Sequence, residues 1–384
     1  MREDFEMDSS LTYLNSGTHS ICPREVTAAV TRYQREFERN PTAELFAAWG
    51  KLWETQVDLA QFLKADPQDL FLRPNITLVM NAFILGVELP KGSEILLSDV
   101  EYGAIANLCR LKAEQGGLKL RRFHLPNDCA DPVALVKQEL KPETSLLVLS
   151  HIITGNGQVL PVEQIARVTR ERGVLFAVDG AHSPGALALD FTRLEDVDCY
   201  GGNLHKWVMA PKGTSFGWIP KRNRARVKST YGGWTTFEIP GPFAAFGGGD
   251  LFQARMLMSA CYDFAPFFGI RDTLAFWRRH GGDQIRARLY ALQAHLERRL
   301  DEKLGWRKLS PPAGARRGPL LAYELPAELA TQGFHLMQKI YQEHRLQIMI
   351  APFRDSACLR VSPHVYNTEA ELDRAAEILG RLKR

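Results

Sequence analysis

Between residues 50 and 220 helical segments alternate with short apolar runs, and a chain with that pattern has few ways to fold. The helical segments include Gly50–Leu63 and Val162–Arg172. The apolar runs are Glu94–Leu97, Leu118–His124, Ser145–Ser150, Val174–Val178 and Gly213–Ile219. Such alternation predicts βαβ units and a largely parallel sheet covered on both faces. The pattern changes after about residue 260. A long charged amphipathic helix is expected over Gly281–Leu304, with further helices at Gln332–His344 and Thr368–Lys383. Strands around Leu320–Leu325 and Leu359–Ser362 accompany them, which predicts a smaller α+β unit. The stretch Tyr231–Asp250, rich in Gly and Pro, reads as a loop able to carry function.

At 384 residues the chain is long enough to bury a large core without disulfide or metal staples. Its six cysteines, at 22, 109, 129, 199, 261 and 358, form no CxxC pair, and no His cluster stands at zinc-ligand spacing. They read as reduced thiols and predict a cytoplasmic protein. The N-terminus MREDFEMDSSLTYL is acidic and lacks the apolar core of a signal peptide. No apolar run approaches the roughly 18 to 20 residues of a membrane span. The net charge is +4 with both signs interspersed, which gives no reason to expect a nucleic-acid partner. The densest basic run, residues 221–228, is expected to be a solvated face.

Two elements about thirty residues apart carry the chemistry. Leu175-Phe176-Ala177-Val178-Asp179 is a buried-strand pattern ending in an acid, followed by Gly180-Ala181-His182. Ligands of open α/β sheets sit at the carboxyl ends of such strands. An Asp there is costly unless it meets a cation. The second element, Gly201-Gly202-Asn203-Leu204-His205-Lys206-Trp207, reads as a glycine-rich loop holding a lysine suited to a depressed pKa and a Schiff base. A strand-end Asp alone also serves as a cap, and a lone lysine as a surface residue. Together they match what a cofactor with a pyridine nitrogen needs.

The chain resembles the class V aminotransferase family of fold-type I pyridoxal 5′-phosphate (PLP) enzymes, and within it the isopenicillin N epimerase-like branch. The resemblance runs from Tyr13-Leu14-Asn15-Ser16-Gly17 to Arg360-Val361-Ser362-Pro363-His364-Val365-Tyr366-Asn367-Thr368. It implies a large domain over residues 20–260 with a mainly parallel seven-stranded sheet, and a small α+β domain made of residues 1–19 and 261–384. It also implies a homodimer acting on a small amino-acid substrate.

By that resemblance Lys206 carries the cofactor, Asp179 pairs with the pyridine nitrogen, and His182 lies at the phenolic oxygen. Ala181 packs on one ring face and Tyr102, in Glu101-Tyr102-Gly103-Ala104, stacks on the ring. Thr154 is placed near the phenolic oxygen. Phosphate contacts are implied for Ile76 through its N–H, for Thr77 and for His205, at the start of a helix where an anion is favoured. Arg360 is implied as the carboxylate-binding residue, with Asn15, Gly17 and His19 lining the entrance. Relatives place a Thr in a loop that reaches the neighbouring subunit; here the segment is Phe246-Gly247-Gly248-Gly249-Asp250, and the N–H of Gly248 is the expected phosphate contact. Residues 345–355 contain no cysteine, which disfavours desulfuration. Epimerisation, transamination and a C–S or other β-lyase outcome all remain open from the residues, as does a non-catalytic PLP-fold binding protein.

Overall fold

The computed structural model describes residues 1–233, 236, 252, 256, 262–314 and 316–383. Near the N-terminus lies a two-residue strand, β1 (Thr12–Tyr13). Seven strands then form the main sheet: β2 (Leu70–Arg73), β3 (Glu94–Ser98), β4 (Lys119–Phe123), β5 (Thr144–Ser150), β6 (Leu175–Asp179), β7 (Cys199–Asn203) and β8 (Ser215–Trp218). Their spatial order is β2-β8-β7-β6-β5-β3-β4. The pairings from β7 through β4 are all parallel, and only β8 runs against its neighbours. This is the mainly parallel seven-stranded sheet expected.

Successive residues of a strand point to opposite faces, and the core divides accordingly. Leu146 and Val148 of β5 join one hydrophobic cluster with the helices Ile76–Ile84 and Gly103–Gly116. Leu147 and Leu149 join the other, with Pro41–Leu63, Val162–Glu171 and Ala265–His280. Both faces are therefore buried, which is why these strands read as continuous apolar runs.

The C-terminal part builds a second, antiparallel sheet from β9 (Leu321–Glu324), β11 (Met349–Phe353) and β12 (Ser356–Val361), in the order β11-β12-β9. The short β10 (Leu346–Gln347) pairs in parallel with β1, and Asn15 bridges to Ser362. The N-terminal segment is thus stitched to this unit. Leu292, Leu296, Leu300 and Leu304, at helical spacing along Gly282–Leu304, pack on it together with Leu14. Helix Glu369–Gly380 is started by a capping box between Thr368 and Glu371.

Three expectations are corrected. Gly201-Gly202-Asn203 is not a loop but the end of β7, a central strand. A Cβ on Gly202 would lie 2.6 Å from Phe216 Cε1 and Pro184 Cγ, and one on Gly201 would lie 2.9 Å from Val79 Cγ1. The glycines let neighbours press flush on the strand. The helix expected from Gly50 begins at Pro41, where the Asn40 side chain accepts from Ala43 N–H. The basic run is only partly solvated: Arg224 donates to Asp69 at 2.6 Å, and Arg222 to Asp198 at 3.1 Å and to the Val197 carbonyl. Among the described residues no helix is long and apolar enough to cross a membrane.

Gly202→Ala is expected to destabilise the protein by about 1–3 kcal/mol through overpacking. A urea-unfolding midpoint equal to that of the unsubstituted protein would contradict the packing described for β7.

Candidate active site

The strands β5, β6 and β7 end side by side, and the segments that follow them form the floor of a cleft of about 710 Å³. Its other walls come from the starts of the helices Ile76–Ile84 and Gly103–Gly116, from Gly17–His19, and from β11 and β12. Of the residues singled out from sequence, His19, Ile76, Thr77, Tyr102, Thr154, Ala181, His205, Lys206 and Arg360 all line it. Asp179 and His182 are buried beside it, and Asn15 supports Arg360. Gly248 lies outside the described residues.

Lys206 follows β7 in a tight turn whose backbone is anchored carbonyl by carbonyl. Ser20 N–H donates to the His205 carbonyl at 2.9 Å, and Met209 N–H to that of Lys206 at 3.1 Å. His364 Nε2 donates to Trp207 at 3.3 Å and Trp277 Nε1 to Val208 at 2.8 Å. His364 has its tautomer set locally, since its Nδ1 accepts from Val365 N–H. Met209 ends the turn at φ 66°, a strained value for a residue with a Cβ. Gly185 passes so close that a Cβ there would stand 2.6 Å from the Trp207 carbonyl.

The amine of Lys206 lies 3.0 Å from His182 Nε2. Burial, and then the nearby charge of Arg360, push its pKa down to about 7, with Asp179 opposing. Burial, then the charges of Lys206 and Arg360, hold His182 well below the ordinary histidine range, so it is neutral beside the amine. Asp179 Oδ1 accepts from Ala181 N–H at 2.8 Å, while its buried Oδ2 has no partner among the described residues. Burial raises this carboxyl, and the Ala181 N–H and Lys206 pull it back. His205, next to His19 at 4.8 Å between ring centres, is pushed down to about 3, mainly by burial.

Arg360 reaches the cleft from β12. Its Nη1 donates to the Thr154 carbonyl at 3.3 Å, and its Nη2 to Thr18 Oγ1 at 3.0 Å and Asn15 Oδ1 at 3.4 Å. These acceptors are neutral. The guanidinium has no carboxylate partner among the described residues, and its Nε is unpaired. Gly17 lies against it, where a Cβ would come within 3.6 Å of Arg360 Cζ.

At the helix start, Asn75 caps Leu78 N–H at 3.1 Å. The N–H of Ile76 does not face the cleft unused, as expected, but donates to Asn203 Oδ1 at 3.0 Å. Asn203, at the end of β7, is placed for this by the glycines before it. Thr77 remains at the cleft with no bond from its N–H or hydroxyl among the described residues. Tyr102 stands 48% exposed at the mouth.

Sequence reading missed Thr18, Asn203, His364 and Glu101. Glu101 lines the cleft and accepts from Ser98 Oγ and Ser150 Oγ, both at 2.6 Å, and from Ser150 N–H at 2.9 Å. Burial raises it to about 7 against those hydrogen bonds, with Asp179 adding to the rise. Its place beside Tyr102 was the available signal.

In the cofactor-free protein, labelling of Lys206 by an amine-reactive reagent is expected to rise with pH around a midpoint of about 7. Arg360→Ala removes a like charge and so moves that midpoint upward. Peptide mapping across a pH series reads both; a midpoint near the ordinary lysine value in the unsubstituted protein would refute the assignment.

Residues 12–375 match the family model for class-V aminotransferases. The isopenicillin N epimerase of Streptomyces clavuligerus is 31% identical over 98% of this chain and 96% of its own. A solved structure of C-DES with glycine covalently linked to the PLP cofactor superposes with TM-score 0.87 at 25% identity, covering 99% of each chain. The cystine C-S lyase C-DES in complex with its reaction product, cysteine persulfide, gives 0.85 at 25% identity, over 97% of this chain and 98% of that one.

Proposed function

The chain belongs to the class-V aminotransferase family, and we propose that Lys206 carries its cofactor, PLP, while the residues around it work at the α-carbon of an amino-acid substrate. That it is a PLP-dependent enzyme follows from the family. The observation that carries the residue assignment is the buried, unpartnered Oδ2 of Asp179 beside an amine whose pKa is pushed down to about 7. A carboxylate oxygen buried without a donor is costly, and a protonated pyridine nitrogen supplies the missing donor. The residues present therefore fit the cofactor.

When bound, PLP supplies an aldehyde for amines and a ring that takes up the electron pair released at Cα. Asp179 would hold the ring nitrogen protonated. Ala181 and Tyr102 would pack against the ring. Thr77, the N-terminus of helix Ile76–Ile84 and His205 would hold the phosphate. Arg360 grips the substrate carboxylate through a planar fork. Lys206, with its pKa pushed down to about 7, would accept the Cα proton, and neutral His182 stands within hydrogen-bond reach of its amine. Where the proton returns decides the product. Return to Cα from the face opposite Lys206 would give epimerisation, the activity named for the Streptomyces relative, with Tyr102 and His182 as the candidate acids. A C–S lyase outcome is the second reading, favoured by the likeness to C-DES. We also propose a cytoplasmic homodimer. The five described cysteines are all unpaired, as a reducing compartment would leave them, and the bare Tyr102 at the mouth offers a surface for a second copy to cover.

Lys206→Ala is expected to lose the borohydride-stable cofactor adduct and to lower kcat by about 10²–10⁴. An adduct mapped to another lysine would refute the assignment. Incubation in deuterated water separates the outcomes: Cα exchange without keto acid marks epimerisation, whereas pyruvate or thiol release marks a lyase.

A further inference from the structure

One wall of the cleft has chemistry that the reaction at Cα does not use. In the antiparallel register of β11 and β12, Met349 lies directly across from Arg360, Ala351 across from Cys358 and Phe353 across from Ser356. Alternate residues share a face, so Met349, Ala351 and Phe353 form a row that starts beside Arg360. All three line the cleft, while Ile350 between them is buried in the core of the small sheet. At about 3.4 Å per residue the row runs for about 13 Å.

The row is apolar and firmly backed. The Phe353 ring lies where a side chain on Gly155 would otherwise stand, 2.4 Å from the position of its Cβ. Gly155 follows Thr154, whose carbonyl holds Arg360. Val100 and Ala351, each only partly covered, pack against the cluster of Leu309, Ala322, Phe353 and Cys358.

At the far end stands Arg354, with φ 52°, which also lines the cleft but is tied back by each of its three nitrogens. Its Nε donates to Asp99 Oδ2 at 3.0 Å, its Nη1 to Asn127 Oδ1 at 2.6 Å and its Nη2 to the Leu125 carbonyl. A second substrate carboxylate would therefore meet apolar groups and a guanidinium whose charge is already paired with Asp99.

We infer that the cleft selects amino acids with a single carboxylate and an extended, uncharged, apolar side chain, which lies along Met349, Ala351 and Phe353. The inference rests on Arg360 holding the α-carboxylate, as proposed above.

The test uses the PLP-loaded enzyme and measures Cα–H exchange in deuterated water for alanine, norleucine, glutamate and 2-aminoadipate. Norleucine is expected to exceed each of the other three in kcat/KM by about tenfold or more. Ala351→Phe fills the middle of the row, and the norleucine-to-alanine ratio, measured on one preparation, is expected to fall by about tenfold. Glutamate or 2-aminoadipate exchanging as fast as norleucine would overturn the inference, as would an unchanged ratio in Ala351→Phe. These outcomes would leave the PLP reading intact, because exchange itself would have been seen. No exchange with any of the four would overturn both. If the variant does not fold, the four-substrate ranking of the unsubstituted enzyme decides.

Discussion

A guanidinium buried among neutral acceptors is expensive, and the arrangement around Arg360 follows from that cost. Thr154, Thr18 and Asn15 solvate it only in part and leave its Nε unpaired. Its uncompensated charge reaches outward, helping to depress both Lys206 and His182. On the opposite side of the balance, Asp179 is a buried carboxyl with one oxygen bare. The cleft thus holds an uncompensated cation and an uncompensated carboxyl, both acting on an amine whose pKa is pushed down to about 7. On the proposed reading, a zwitterionic substrate and a pyridinium cofactor would complete charges that the fold leaves incomplete. This is preorganisation in a low-dielectric setting, where fixed groups act strongly because they need not rearrange.

Holding those groups still requires rigidity where the chain is least regular. The Lys206 turn places four consecutive carbonyls, and each meets a donor from a different part of the molecule: the N-terminal segment, the turn itself, the segment after β12 and helix Ala265–His280. The left-handed Met209 persists because that cage over-determines it. The stack of His364 between Trp207 and Tyr366 extends the same clamp, at 5.7 and 5.2 Å between ring centres.

The sheet and most helices were legible because burial on both faces leaves a local periodic trace. Lys206, Asp179 and Arg360 were legible as motif positions, and the cleft brings them together. What local pattern could not convey is who satisfies whom. Asn203 takes the N–H of Ile76 from 127 residues away, so the helix start offers its ligand one donor fewer than its sequence implies. The glycines of β7 were misread because a glycine pair signals a turn locally, whereas here it answers close packing by Phe216, Pro184 and Val79. Glu101 escaped notice since the rise in its pKa comes from burial and from Asp179, 78 positions away, against the hydrogen bonds of Ser98 and Ser150.

The pairing of β1 with β10, extended by the bridge from Asn15 to Ser362, also bears on how the protein is made. Arg360 meets acceptors 342 and 345 positions earlier in the chain. Nearly the whole polypeptide must leave the ribosome before that contact forms. The main sheet can assemble during synthesis, as N-terminal domains do, but the first twenty residues must wait for the last sixty to be translated. Closing so long a loop is slow, and it comes last. The cleft is thus the final thing the chain acquires: the clamp on the Lys206 turn, which needs His364, and the setting of Arg360 both wait for the same late segment.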